Sequence, residues 1–139
     1  MRQALIDTNV VLDVLLDRQP HVEGSAAVWA AIETRLSKGF LPAHAITTIH
    51  YLVRRELGVA IAKRTVASIL RIFDVATVDA AVIQEALRLS LPDFEDSVTA
   101  AAAQLAGCDV IVTRDPKGFR GSPVRILTPE AVLPMLGNE

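Results

Sequence analysis

Acidic side chains occur at three separated places in the sequence, each beside a predicted structural boundary. Asp7 directly follows a short apolar run, Asp93 and Asp96 open a predicted helix, and Asp115 follows a second apolar run. Carboxylates that converge on one crevice repel one another unless a cation lies between them. Their hard oxygen atoms favour Mg²⁺ or Mn²⁺ over zinc, and such ions can promote hydrolysis of a phosphodiester. The pattern is therefore typical of a metal-dependent nuclease site.

Helix geometry discriminates between the acids of the middle group. Asp93 and Asp96 are three residues apart and share a helix face, whereas Glu95 is expected to point elsewhere. Each acid also has a structural explanation. Asp7 and Asp93 could cap helices, Glu95 and Asp96 could favour the positive end of a helix, and Asp115 could belong to a turn. Metal binding is the one explanation common to all of them, so we predict a site containing Asp7, Asp93, Asp96 and Asp115.

The elements that must position these acids alternate between strands and helices. Strands are predicted at residues 4–6, 40–41, 75–78, 109–113 and 124–127. Helices are predicted from residue 10, after a turn at residues 7–9, to before Pro20, at 21–38 with Gly39 as the stop, at 44–57, 60–72, 79–89 and 93–106, and from Thr128 onwards. This alternation predicts an α/β fold, a three-layer α/β/α domain with a mostly parallel sheet. Ligands of such sheets bind beyond the carboxyl ends of the strands, where Asp7 and Asp115 lie.

Composition limits the remaining possibilities. A chain of 139 residues fits a single domain over residues 1–139, and a hydrophobic fraction of 51% suits a sheet covered on both faces. No apolar run reaches the roughly 18 residues of a membrane span, and Asp7 interrupts the first run too early for a secretory signal. We therefore expect a cytoplasmic protein without a membrane partner. Cys108 is the only cysteine and is expected to be buried, which excludes a disulfide within the chain.

The net charge of −2 argues against a surface that is basic throughout. Nucleic-acid binding depends on neutralising phosphates, so any such site must be a local patch or must use bound cations. Two adjacent predicted helices do carry a basic side. It is a solvated face, an RNA path or a surface that faces a protein partner, and the sequence leaves these open. Its residues are Arg54, Arg55, Lys63, Arg64 and Arg71.

The acidic motifs, with their surroundings, resemble those of PIN domains. Residues 5–13, LIDTNVVLD, resemble the opening motif of that family. Residues 93–96, which lead into the alanine-rich stretch 100–106, resemble its third acidic motif. Residues 112–115, followed by Phe119, resemble its fourth. The order and spacing of the three motifs agree with the family over nearly the whole chain.

This resemblance implies a sheet of about five parallel strands and a Mg²⁺- or Mn²⁺-dependent nuclease that cuts single-stranded RNA. Asp7, Asp96 and Asp115 match the metal-binding acids of the family, and Asp93 matches an extra acid of one branch. PIN domains are often homodimers. Many small bacterial and archaeal members are toxins, each paired with a cognate antitoxin that blocks the site.

Supporting roles follow from the same comparison. Thr113 would position its neighbour or a water, and Asn9 would brace Asp7. Basic residues around Asp115 are placed to contact an RNA phosphate near the metal. They are Arg114, Lys117 and Arg120.

The helix after the second strand departs from the family pattern. The family commonly has a glutamate there, whereas Tyr51 or His50 takes the matching place and Glu56 lies too far along. The sequence most resembles a branch that lacks this glutamate, for which Asp93 would compensate. The alternative function is a PIN-like module that binds RNA or protein without cutting. A response-regulator receiver fits poorly, because Asp79 enters a helix and no lysine follows residues 124–127.

Overall fold

The structure, a computed structural model, describes residues 2–137. Its strands are β1 (Arg2–Ile6), β2 (Ser37–Pro42), β3 (Asp74–Ala76), β4 (Val110–Val112) and β5 (Arg125–Leu127). Its helices are α1 (Thr8–Leu15), α2 (Val22–Glu33), α3 (Ala43–Leu57), α4 (Val59–Ile72), α5 (Ala80–Arg88), α6 (Phe94–Leu105) and α7 (Pro129–Val132). Short 3-10 turns occur at Pro116–Phe119 and Leu133–Met135. None of the helices in this part of the chain is long and apolar enough to cross a membrane.

The five strands form one parallel sheet with the order β3-β2-β1-β4-β5. Strand β1 lies at the centre, between β2 and β4. The chain builds one half of the sheet from β1 to β3 and then returns to the other side of β1 with β4. The carboxyl ends of β1 and β4 therefore form the switch point where such sheets bind ligands. The predicted parallel α/β fold is confirmed.

Helices cover both faces of the sheet. Successive strand residues point to opposite faces. Ile6 and Val112 accordingly pack in a core with α1, α2, α3 and α4, whereas Leu5 and Ile111 pack with α5 and α6. Cys108 belongs to the second core, and burial raises the pKa of its thiol to about 12. The three-layer arrangement explains why so many residues of the strands are fully buried.

The predicted helix over residues 21–38 is too long, and Gly39 does not end it. Helix α2 stops at Glu33, the chain turns at Arg35 with a φ of 66°, and β2 begins before Gly39. A Cβ atom on Gly39 would lie 2.7 Å from Ile32 and 2.9 Å from Phe73. Glycine is therefore needed inside β2 so that these two large side chains can pack against the strand.

Candidate active site

A cleft of about 180 Å³ lies at the carboxyl ends of β1 and β4. Four carboxylates from three parts of the chain line it, namely Asp7, Glu95, Asp96 and Asp115. The other lining residues are Thr8, Asn9, Leu12, Thr48, Leu52 and Phe119. Larger clefts described elsewhere on the surface have at most two carboxylates in their linings. The structure therefore brings together three of the acids that the sequence predicted, at the predicted edge of the sheet.

Hydrogen bonds fix Asp7 at the N-terminus of α1. The Thr8 amide donates to its Oδ1 at 2.9 Å, and the Thr113 hydroxyl donates to its Oδ2 at 2.8 Å. The same hydroxyl accepts a hydrogen bond from the Asp115 amide at 3.1 Å. Thr113 thus joins the first acidic segment to the last. Asn9 lines the cleft as an exposed residue, and the described hydrogen bonds to the Asp7 carboxylate come from Thr8 and Thr113.

The carboxylates in the cleft destabilise one another's charged forms. Burial is the main cause of the raised pKa of Asp7, and the Glu95 carboxylate adds to it. Burial also raises the pKa of Asp96, to about 7. Four neighbouring carboxylates contribute to that rise, those of Asp7, Asp93, Glu95 and Asp115. A cation among these groups would relieve the repulsion and return them to the ionised form.

Glu95 and Asp93 occupy places that helical spacing did not predict. Glu95 lines the cleft, so the expectation that it points elsewhere is wrong. Its position follows from how the first turn of α6 meets the sheet, which spacing within one helix does not specify. Asp93 is exposed at the N-terminus of α6, where its side chain makes no capping hydrogen bond. Asp93 acts on the site through its charge, which raises the pKa of Asp96.

Helix α3 presents Thr48 and Leu52 to the cleft. Tyr51 is 60% exposed, and neither Tyr51 nor His50 is among the residues described as lining the cleft. The α3 residues described as lining the cleft are thus Thr48 and Leu52. Helix α3 consequently adds no carboxylate to the described lining.

His44 is a residue of this site that the sequence analysis missed. It lies in the first turn of α3, and its Nε2 is 3.4 Å from Thr99 Oγ1. Burial lowers the pKa of His44, while the carboxylates of Glu95 and Asp7 oppose this change. Spacing along the chain gave His44 no partner carboxylate. The adjacency of β1 and β2 was the signal that would have placed it beside Asp7.

The donor set and the space around it fit a divalent cation. Within residues 2–137, no three acidic, imidazole or thiol groups are arranged to hold an ion as they stand. Binding an ion would therefore require the carboxylates of the cleft to turn towards it. A Cβ atom on Gly118 would lie 3.0 Å from an oxygen of Asp96 and 3.0 Å from an oxygen of Asp115. The Asp96 and Asp115 oxygens therefore both lie next to Gly118 and close to each other. Carboxylate oxygens are ligands that favour Mg²⁺ or Mn²⁺.

Gly118→Ala is expected to weaken Mn²⁺ binding by roughly tenfold without unfolding the protein. The new methyl group would crowd the oxygens of Asp96 and Asp115, which must move out of place to admit it. The measurement is a Mn²⁺ titration followed by electron paramagnetic resonance. Lys117→Ala, an exposed neighbour in the same turn, is the matched control. Equal Mn²⁺ affinity in the two variants would contradict the expectation.

The metal-free protein is expected to lose stability contributed by Asp96 as the pH rises from about 4 to about 7. The pKa of Asp96 is about 7 when folded, against 3.8 for the unperturbed group, so only the folded state keeps the proton in this interval. Stability therefore falls with rising pH. In chelator, the Tm of Asp96→Asn minus that of wild type should be near zero at pH 4. At pH 7 it should reach a few degrees, since about 1 kcal/mol shifts Tm by roughly 2–8 °C. A difference that does not grow with pH would contradict this account.

Arg114, beside Asp115, forms an ion pair with a buried aspartate. Its Nε donates to Asp13 Oδ2 at 2.6 Å, and the Ser25 hydroxyl donates to the same oxygen at 3.0 Å. Asp13 is 0% exposed, and its Oδ1 has no hydrogen-bond partner among the described residues. Arg114 is thus anchored inwards, with its side chain 25% exposed. The other predicted RNA contacts, Lys117 and Arg120, are both exposed.

Comparisons with known proteins agree with this architecture. The family model of the PIN domain matches residues 3–117. FitAcB from Neisseria gonorrhoeae is 23% identical with a TM-score of 0.73, over 91% of this chain and 98% of that one. VapBC2 from Rickettsia felis, bound to a DNA fragment from its promoter, is 12% identical with a TM-score of 0.70, over 91% and 98%. VapC20 from Mycobacterium tuberculosis, a Sarcin-Ricin loop cleaving toxin, is 16% identical with a TM-score of 0.61, over 78% and 86%. No curated protein sequence matches the chain.

Proposed function

The chain belongs to the PIN domain family, and we propose that it is a metal-dependent ribonuclease that hydrolyses phosphodiester bonds of single-stranded RNA. The observation that carries the proposal is the convergence of Asp7, Glu95, Asp96 and Asp115 on one cleft at the switch point of the sheet. Four carboxylates placed so close together are unfavourable for stability, as the raised pKa of Asp96 indicates. A bound divalent cation would offset the repulsion between these carboxylates, which explains why they lie together.

Asp7, Asp96 and Asp115 are the residues that would hold Mg²⁺ or Mn²⁺, assisted by the nearby charges of Asp93 and Glu95. A cation bound there supplies phosphate neutralisation and water activation. The contribution of the chain itself is positioning. The hydrogen bonds to Asp7 fix that carboxylate relative to the segment that bears Asp115.

Basic side chains beside the cleft would guide the RNA backbone. Lys117 and Arg120 are exposed next to Asp115, and they would pair with phosphates that flank the cut bond. Arg114 adds positive charge from its anchored position and lowers the pKa of Asp7 slightly against the dominant effect of burial. These few basic side chains would neutralise phosphates beside the cleft, so RNA binding does not require a basic surface over the whole protein.

We also propose that the protein is the toxin of a toxin–antitoxin pair and that it forms a homodimer. Support for the toxin assignment comes from similar structures, which include a toxin–antitoxin complex from Klebsiella pneumoniae and DNA-bound VapBC from Salmonella typhimurium. A cognate antitoxin would bind the toxin and cover the acidic cleft.

One observation favours a second candidate function. The described lining of the cleft has no carboxylate from helix α3, the helix on which the family commonly has a glutamate. Fewer carboxylates bind a second ion less well, and a PIN domain so depleted could bind RNA or protein without cutting it.

Cleavage assays separate the two functions. Labelled single-stranded RNA, duplex RNA and single-stranded DNA are incubated with the wild-type protein in Mn²⁺, in Mg²⁺ and in chelator. The proposal predicts cutting of single-stranded RNA that requires either cation and stops in chelator. RNA binding without any cleavage would establish the second function, and equal cutting of all three substrates would refute the RNA preference.

A further inference from the structure

Helix α3 carries a continuous row of side chains that leads out of the cleft. An α-helix advances about 100° per residue, so residues spaced by three and four fall on one face. We define the α3 stripe as five residues that lie within an arc of about 100° on this basis. They are His44, Thr48, Tyr51, Leu52 and Arg55.

The inner half of the α3 stripe belongs to the acidic site. Thr48 and Leu52 line the cleft, and the pKa of His44 responds to the charges of Asp7 and Glu95. The outer half therefore continues from the cleft along the protein surface. A helix rises about 1.5 Å per residue, so Arg55 lies only about 10 Å beyond Thr48 along the helix axis.

Tyr51 and Arg55 form an exposed aromatic and cationic pair on the outer half of the stripe. Tyr51 is 60% exposed, and the Arg55 guanidinium carbon lies 6.0 Å from the centre of its ring. The guanidinium lies over one face of the ring, and the exposure of the side chain leaves ring surface accessible to a ligand. Arg55 also pairs with Glu56 at 3.3 Å, but exposed ion pairs are weak and can rearrange.

The charge around this pair favours a polyanion. The hairpin formed by α3 and α4 has five basic residues against one acidic residue, so its net charge is +4 in a chain whose net charge is −2. All five basic side chains of the hairpin are exposed. The hairpin that carries Tyr51 is therefore the part of the chain whose net charge attracts a polyanion.

We propose that Tyr51 and Arg55 form a stacking platform for a base of single-stranded RNA close to the bond that is cut, an inference that rests on the proposed ribonuclease function. Every nucleobase has a flat face that stacks on an aromatic ring, and arginine adds a favourable cation–π contact. The base stacks on the open face of Tyr51 while Arg55 holds the other face and neutralises a phosphate. The platform orients the strand so that the next phosphate enters the acidic cleft.

Substitutions at Tyr51 separate stacking from apolar contact. The KM for cleavage of a short single-stranded RNA in Mn²⁺ is expected to rise about tenfold in Tyr51→Leu, with kcat unchanged. Tyr51→Phe keeps the flat ring and should stay within about twofold of wild type, since the stacking surface is preserved. Leu70→Ala, an exposed leucine of α4 outside the stripe, is the control and should leave KM unchanged.

Abasic substrates identify the stacked base. Bases near the cut are removed one at a time, and KM is measured for wild type and Tyr51→Leu on each substrate. At one position the missing base should cost the wild type about the same factor as the substitution does. Tyr51→Leu on that abasic substrate should show no further rise in KM, because the missing base and the substitution remove the same interaction.

The outcomes are distinct. Additive losses at every position, or an unchanged KM in Tyr51→Leu, would overturn the stacking platform even if the wild type cuts RNA. Failure of the wild type to cut any RNA would overturn the proposed function together with this inference.

Discussion

Asp7→Asn and Asp96→Asn are each expected to reduce RNA cleavage by about a thousandfold. Asparagine keeps the size of the side chain but removes the charge that would bind the cation. Loss of cation-based charge stabilisation costs several kcal/mol of barrier, and each 1.4 kcal/mol is about tenfold in rate. For Asp96 the same substitution removes a carboxylate whose pKa is raised to about 7, so the metal-free variant should be more stable than wild type at neutral pH.

Activity that is lost while stability increases distinguishes a functional residue from a structural one. The rates are measured as single turnovers with saturating protein, and the Tm of each variant is measured in chelator. Asp79→Asn is the control, because Asp79 caps α5 through the Val82 amide at 3.1 Å and takes no part in the cleft. It should change stability by less than about 1 kcal/mol and leave the rate unchanged. Cleavage at the wild-type rate by Asp7→Asn or Asp96→Asn would contradict the assignment.

Arg114→Ala is expected to destabilise the protein by about 3–5 kcal/mol. The substitution leaves the fully buried Asp13 carboxylate with only the Ser25 hydroxyl as a partner, and Asp13 Oδ1 already lacks one among the described residues. A buried charge without its counterion is far more costly than the ion pair itself is stabilising. Because Arg114 lies between Thr113 and Asp115, the loss should also disturb the geometry of the cleft.

Chemical denaturation in urea measures this effect. Arg88→Ala is a suitable comparison, since Arg88 pairs with Glu85 at 3.1 Å but its side chain is 78% exposed. That variant should lose less than about 1 kcal/mol. Replacing Asp13 and Arg114 together with apolar residues of similar size should restore most of the stability, as it does for other buried ion pairs. A loss below about 1 kcal/mol in Arg114→Ala would show that the buried pair contributes little.

The sequence predicted the fold well because buried parallel strands have a strong signature. Residues 110–112 are continuously apolar and are fully buried in the structure. Once strands and helices alternate, the carboxyl ends of neighbouring strands must share one edge of the sheet. The convergence of Asp7 and Asp115 follows from that topology, although they are more than a hundred residues apart in sequence.

Errors arose where tertiary packing decides the outcome. The boundary between α2 and β2 was misplaced because Gly39 resembles a helix stop, whereas its role is to make room for Ile32 and Phe73. Glu95 was misjudged because spacing within a helix gives relative directions only. How a helix is rotated against the sheet depends on contacts from distant elements. His44 was missed for the same reason, since its neighbours Thr99 and Asp7 are remote along the chain.

Simultaneous measurement of Mn²⁺ binding and RNA cleavage tests whether a cation bound in the acidic cleft is required for cleavage. The wild-type protein, freed of metal by chelation, is titrated with Mn²⁺, and bound Mn²⁺ and cleavage rate are measured on the same samples. The rate should rise in proportion to bound Mn²⁺ and return to zero when chelator is added. Cleavage in metal-free samples, or full Mn²⁺ occupancy without cleavage, would contradict this expectation.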